Sequence, residues 1–130
     1  MYMRWKQSFL HYRKAFVLLE KAMSIASPSD TERAGLVHFF ELTFELALKM
    51  LKDYLEKEGF SVASPRQAIK QAFQVGLIRD GQVWMDALKD RSLTVHIYEK
   101  EIAIAVEQKI RKAYFPAVAE LYHEFNAKVE

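Results

Sequence analysis

Trp5, Phe9, Tyr12, Phe16, Leu19 and Met23 fall four and three residues apart, the interval at which an α-helix returns to the same face. They predict a first helix with one continuous apolar stripe. A second stripe, Leu36, Phe39, Phe40, Thr43, Phe44, Ala47, Met50, Leu51, Tyr54 and Leu55, predicts a longer helix. Between them "ASPSDTE" breaks the chain near Pro28, and Ser29 or Asp30 is placed to cap the second helix. Gly59, just after "EKE", supplies the stop.

In "SPRQAIKQAFQVG" Ser64 precedes Pro65, the order of an N-cap and a first helical residue, and Gly76 ends a short third helix. After Asp80-Gly81, the residues Val83, Trp84, Ala87 and Leu88 predict a short fourth helix running toward residue 91. From about Glu99 to Ala127 a last long helix is expected on the stripe Ile102, Val106, Ile110, Ala113, Ala117, Leu121 and Phe125. Pro116 lies inside it and predicts a kink or local break, because it lacks a backbone donor. Ile104, Phe115, Val118, Tyr122 and Val129 lie off that stripe, so this helix asks for a broad core face or a second copy of the chain.

No segment alternates with period two, and there is no repeat or linker. The expected architecture is all-α: an up-and-down antiparallel helical bundle of the four-helix type, three long helices and two short ones, forming one domain over residues 1–130 and homodimeric.

Composition narrows the chemistry. With 130 residues, 51% of them hydrophobic, the chain can bury a sizeable core, and a net charge of +2 gives no general nucleic-acid-binding signature. The absence of cysteine removes disulfides, thiolate nucleophiles and Cys-ligated metals, and the four histidines show no zinc spacing. No stretch has the apolar run of a signal peptide or a membrane span, so a soluble cytoplasmic protein without a membrane contact is expected. Arg4, Lys6, Arg13, Lys14 and Lys21 bias the first helix toward positive charge, which reads as solvated surface or as an aid to a phosphate-bearing partner.

The chemistry-bearing stretch is "RSLTVHIY", residues 91–98. On an ideal helix Arg91 and His96 would point to different faces, whereas His96 and Tyr98 converge most easily in extended chain. The β-branched Thr94, Val95 and Ile97 favour a helix end or distortion there. Arginine can hold a phosphodiester and offset its developing charge; histidine can take a proton from a 2′-hydroxyl or give one to a leaving oxygen. Together they permit metal-free RNA cleavage by internal attack. Tyrosine can stack on a base or accept a transferred group. The plainer readings are an ion-paired arginine, a hydrogen-bonded histidine and a partly buried tyrosine. Glu41 and Glu45, one turn apart, read as a solvated face with a Glu45–Lys49 pair, or as carboxylates that orient Arg91.

Three stretches, "WKQSFLHYRKAFVLLEKA", "FELTFELALKMLKDYLEKEGF" and "SPRQAIKQAFQVGLIRDGQVWMDALKDRSLTVHIYEKE", carry a resemblance over nearly the full length. The chain resembles the nucleotidyltransferase substrate-binding proteins, a branch of the HEPN superfamily of helical bundles. That resemblance implies a small dimeric bundle with its Arg-x4-6-His motif at the dimer cleft, paired with a minimal nucleotidyltransferase encoded nearby. It further implies that Arg91 and His96 serve an endoribonuclease of a toxin-antitoxin-like pair, and that Tyr98 is where the partner transfers a nucleotide to silence it. The alternative it implies is a non-catalytic subunit that binds a nucleotide or acceptor substrate and the transferase. No cofactor or metal is implied. Ser92 stands where the family commonly has Asn, which leaves a shorter donor and puts ribonuclease strength in question more than binding.

Overall fold

The structure, a computed structural model, describes residues 3–129. Its elements are α1 (Arg4–Met23), α2 (Asp30–Lys57), α3 (Pro65–Gln74), α4 (Gly81–Asp90), a 3-10 segment (Arg91–His96), α5 (Lys100–Lys109), a π-helical turn (Ile110–Tyr114) and α6 (Phe115–Val129). No strand occurs among the described residues. The three long helical stretches and two short ones are those that the hydrophobic pattern predicts, and α1 against α2 is the most extensively packed pair.

Helix ends follow from side chains read off the sequence. Ser29, not Asp30, caps α2: its Oγ accepts the Glu32 N–H at 3.1 Å while Glu32 Oε1 accepts the Ser29 N–H at 2.9 Å. Such a reciprocal cap stabilises a helix by about 1 kcal/mol. Ser64 and Asp80 cap α3 and α4 by accepting the Gln67 and Val83 N–H groups, each at 3.2 Å, without the return bond to their own N–H. At the other end of α2, Gly59 takes φ +96°, which lets the Gly59 and Phe60 N–H groups reach back to the carbonyls of Glu56 and Leu55, both at 3.0 Å.

The core is aromatic. Trp5, Phe9, Tyr12 and Phe16 of α1 are all buried, and Tyr122 of α6 stacks on Phe16 with ring centroids 4.3 Å apart. Phe115 stacks on Phe16 as well, at 5.7 Å. Of the surplus apolar residues of the last helix, Phe115, Val118, Tyr122 and Val129 therefore widen the core face within one chain, while Ile104 is half-buried outside that core. Tyr12 donates to the Val118 carbonyl, and burial, with Tyr122 adding to it, pushes the Tyr12 phenol well above its ordinary value.

The last helix departs from its expected register. After Ile110 the buried positions are Tyr114, Val118, Leu121 and Phe125, whereas Ala113 and Ala117 are only half-buried. The cause is the π-helical turn, whose Phe115 N–H donates to Ile110 O five residues back. The turn takes up an extra residue, so positions four apart stay on the inward face. It falls one turn before Pro116, where the missing N–H already weakens the helical ladder. The break predicted at the proline is thus a widened turn ahead of it.

Glu107 is a buried charge on α5, 8% exposed. Arg33 Nε on α2 donates to one oxygen at 2.8 Å and Arg111 Nε to the other at 2.7 Å. Arg111 also binds the carbonyls of Met23 and Ile25 at 2.9 and 2.8 Å, which ties the α1–α2 loop to the last helix. Burial would raise the Glu107 pKa, but these hydrogen bonds outweigh it and hold the carboxyl below its ordinary value.

Candidate functional site: a 3-10 segment laid across α2

Residues 91–96 continue from α4 as a 3-10 helix rather than passing into extended chain. Three residues per turn sort the stretch by side. Arg91, Thr94 and Ile97 are half-buried; Ser92, Val95 and Tyr98 are exposed, Val95 at 70% and Tyr98 at 80%. The first set faces α2, where Glu45 and Glu41, one helical turn apart, meet Arg91 and Thr94 respectively. Arg91 Nη1 forms an ion pair with Glu45 Oε1. The Thr94 hydroxyl bonds Glu41 Oε2 at 2.5 Å and lies 2.9 Å from the Arg91 carbonyl. Both carboxylates therefore hold the motif segment, and the expected Glu45–Lys49 pair does not form: Lys49 bonds Asp53 at 3.1 Å instead.

Below the segment, Asp90 accepts from the Tyr114 hydroxyl at 2.5 Å and from Lys109 Nζ at 3.0 Å. Burial first, and the Asp90 carboxylate next, raise the Tyr114 phenol above its ordinary value. Phe40, Phe44, Arg91, Thr94 and Tyr114 enclose a hollow of about 10 Å³, at the limit for one water. It is a packing seam, too small for a ligand. Neither Asp90 nor Tyr114 had a sequence signal as a pair: they are 24 residues apart and meet because the π-helical turn aims Tyr114 at the end of α4.

His96 and Tyr98 come together otherwise than expected. Ile97 keeps helical angles, φ −70° and ψ −8°, so the two side chains are not aligned by extended chain. Their rings nonetheless approach across the turn, with centroids 6.4 Å apart and planes at 51°. Both are exposed, and neither side chain makes a hydrogen bond among the described residues. No hydrogen bond joins Arg91 to His96 within the chain. Ser92 Oγ donates to the Lys89 carbonyl at 3.1 Å, so its hydroxyl is tied to the helix end. Among the described residues no group of three or more His, Asp or Glu side chains could share a metal ion, and no helix is long and apolar enough to cross a membrane.

One chain thus presents a half-exposed guanidinium fixed by a carboxylate and, at the far end of the segment, an exposed imidazole beside an exposed phenol. A fixed cation can hold a phosphate, an unengaged imidazole can move a proton, and an exposed phenol can accept a transferred group.

The family model described as nucleotidyltransferase substrate binding protein like matches residues 7–127. A Haemophilus influenzae protein named Probable ribonuclease HepT is 33% identical over 86 residues; the match covers 62% of this chain and 59% of the length of that relative. A crystal structure from Thermus thermophilus superposes with a TM-score of 0.77 at 36% identity, covering 92% of this chain and 98% of that one. A second structure, from Haemophilus influenzae, described as revealing the fold of a substrate binding domain of a nucleotidyltransferase, also gives 0.77, at 27% identity over 91% of this chain and 98% of that one.

Proposed function

The chain belongs to the nucleotidyltransferase substrate-binding-protein-like family, and on that premise we propose that it is the HEPN-type partner of a minimal nucleotidyltransferase and a metal-independent endoribonuclease. The observation that carries the reading is the pair of functional ends on one short segment: Arg91 anchored by Glu45, and His96 exposed with its ring nitrogens unengaged. Arg91 binds a phosphodiester of single-stranded RNA. His96 takes the proton from the ribose 2′-hydroxyl, whose oxygen attacks phosphorus; the P–O5′ bond breaks and the imidazolium returns the proton to the leaving 5′-oxygen, giving a 2′,3′-cyclic phosphate and a 5′-hydroxyl. The relative named Probable ribonuclease HepT supports the ribonuclease class of this reading.

A second copy of the chain completes the site. No hydrogen bond joins Arg91 to His96 within one protomer, and Val95 and Tyr98 leave apolar surface beside them for a dimer to cover. Tyr98 is the silencing position: its phenolic oxygen attacks the α-phosphorus of a nucleoside triphosphate on the transferase, and pyrophosphate leaves. With exposure of 80%, that oxygen can enter another protein's active site. The pair works in the cytoplasm as a toxin and its antitoxin.

One observation favours the second reading, a non-catalytic subunit that presents a nucleotide or acceptor to the transferase. Ser92 donates to the Lys89 carbonyl of its own helix end, so its hydroxyl is not free to bind a scissile phosphate. Induced expression separates the two. The ribonuclease reading expects growth arrest and RNA cleavage, both lost in a folded His96→Ala variant; equal behaviour of wild type and variant in both assays leaves the binding subunit.

A further inference from the structure

Glu45 has two sides. One holds Arg91; the other borders a groove of about 250 Å³ between α2 and the start of α3, lined by Leu48, Lys49 and Lys52 of α2 and by Ala63, Pro65 and Ala68 opposite. We propose that this groove seats the nucleotide next to the scissile phosphate, so that an RNA strand crosses α2 from Arg91 to Lys52. The inference rests on the ribonuclease reading and deepens it by giving the substrate a path.

The charges favour a phosphodiester strand over other ligands. Glu45 is neutralised by Arg91, and Lys49 by Asp53, whose carboxylate is buried and also accepts from Ser8 Oγ at 2.5 Å. Lys52 is exposed, and no ion pair engages it among the described residues, so it is the uncompensated cation of the groove. The floor of Leu48, Ala63, Pro65 and Ala68 is largely apolar, which suits the face of a base or ribose with its phosphate turned toward lysine. The start of α3 contributes shape rather than amides: Ser64 Oγ takes the Gln67 N–H at 3.2 Å, the Gln67 side chain takes the Ala63 N–H at 2.8 Å, and Pro65 has none. Recognition is therefore by one cation and an apolar seat. Such a site reads strand and phosphate, and discriminates weakly among bases.

Arg91 contacts Glu45, and Glu45 and Lys52 line the same groove, so the groove binds the same strand that reaches the motif. A mononucleotide can fill one of the two positions only. A strand fills both, and binds more tightly for that reason.

The test uses the whole chain and a short, fluorescein-labelled, 2′-O-methylated oligouridylate, which cannot undergo internal attack. Dissociation constants are measured against salt for wild type, Lys52→Ala, Ala63→Trp, Arg91→Ala and, as a control cation exposed on α6, Lys128→Ala. Removing Lys52 is expected to weaken binding and to reduce the slope of log affinity against log salt by about 0.7, the contribution of one phosphate contact on a single strand. Ala63→Trp, which puts a ring into the groove from an exposed position, is expected to weaken binding with the slope unchanged. Loss in Arg91→Ala with Lys52→Ala and Ala63→Trp both at wild-type affinity overturns the groove and leaves the ribonuclease reading standing. An oligouridylate that wild type does not bind at all overturns both.

Discussion

Arg91, at the first position of the 3-10 segment, forms an ion pair with Glu45, in the middle of α2, and this contact joins residues 46 apart in the chain. Its thermodynamic weight is small, because both side chains are more than a third exposed, 37% and 47%. A pair so exposed contributes at most about 1 kcal/mol. Its geometric weight is larger: it decides where the guanidinium points.

Glu45→Gln is therefore expected to leave the melting temperature nearly unchanged while slowing single-turnover RNA cleavage on the order of tenfold to a hundredfold, the effect of a misplaced phosphate ligand. RNA affinity should not fall, since a negative charge beside a phosphate site has been removed. Cleavage at the wild-type rate would show that Arg91 needs no anchor.

Tyr114 and Asp90 make a more buried contact beneath the same segment. Tyr114→Phe removes one hydrogen bond to a carboxylate and is expected to cost about 1–2 kcal/mol of stability. The Lys109 contact stays, so Asp90 keeps a partner. Because Asp90 closes α4 immediately before the motif, amide exchange over residues 91–97 should accelerate more than exchange in α1. Hydrogen-exchange mass measurement checks this, and uniform acceleration across the chain would contradict it.

Glu107 sets a pH dependence. Its carboxyl is held below the unfolded value, so the stability it contributes is present above about pH 4.3 and is lost as pH falls through the folded pKa. Glu107→Gln should lower stability by about 2–3 kcal/mol at neutral pH, less than for a fully buried pair because Arg111 is partly exposed. The variant should then lose less than wild type between neutral pH and about pH 3 in urea unfolding. Parallel pH profiles would remove the clamp from the account.

Tyr98→Phe tests the silencing position apart from the fold. The side chain is 80% exposed, so stability should change by no more than about 0.5 kcal/mol. Co-expressed with the transferase, the wild-type chain should gain one nucleotide in mass and the variant none. An unmodified wild type that still co-purifies with the transferase would mean that Tyr98 serves binding alone.

The pattern of apolar residues was enough to place α1 to α4; α2 and α3 are also bounded by a capping serine and a glycine, and α4 begins at a capping aspartate, local chemistry that acts alone. The stripe of the last helix misled between Ile110 and Val118. A π-helical turn changes the helical phase by one residue, and nothing in "KIRKAYFPAV" announces it beyond Pro116 itself. The motif residues were legible as a set, and the spacing of Glu41 and Glu45 was legible as a pair that could orient Arg91. Their matching to Thr94 and Arg91 was not, because it depends on the 3-10 winding of residues 91–96, whose three-residue period differs from both alternatives the sequence suggests. Long-range contacts such as Asp90 with Tyr114, or Arg33 with Glu107, depend on how helices pack and leave no local trace.

The central claim is that Arg91 and His96 cut RNA without a metal. Purified protein, incubated with single-stranded RNA in excess EDTA, tests it most directly through the chemistry of the new ends. Wild type is expected to yield 2′,3′-cyclic phosphate and 5′-hydroxyl termini, and His96→Ala and Arg91→Ala, each folded by circular dichroism, to yield none. Intact RNA with wild type, or the same products from His96→Ala, would contradict it.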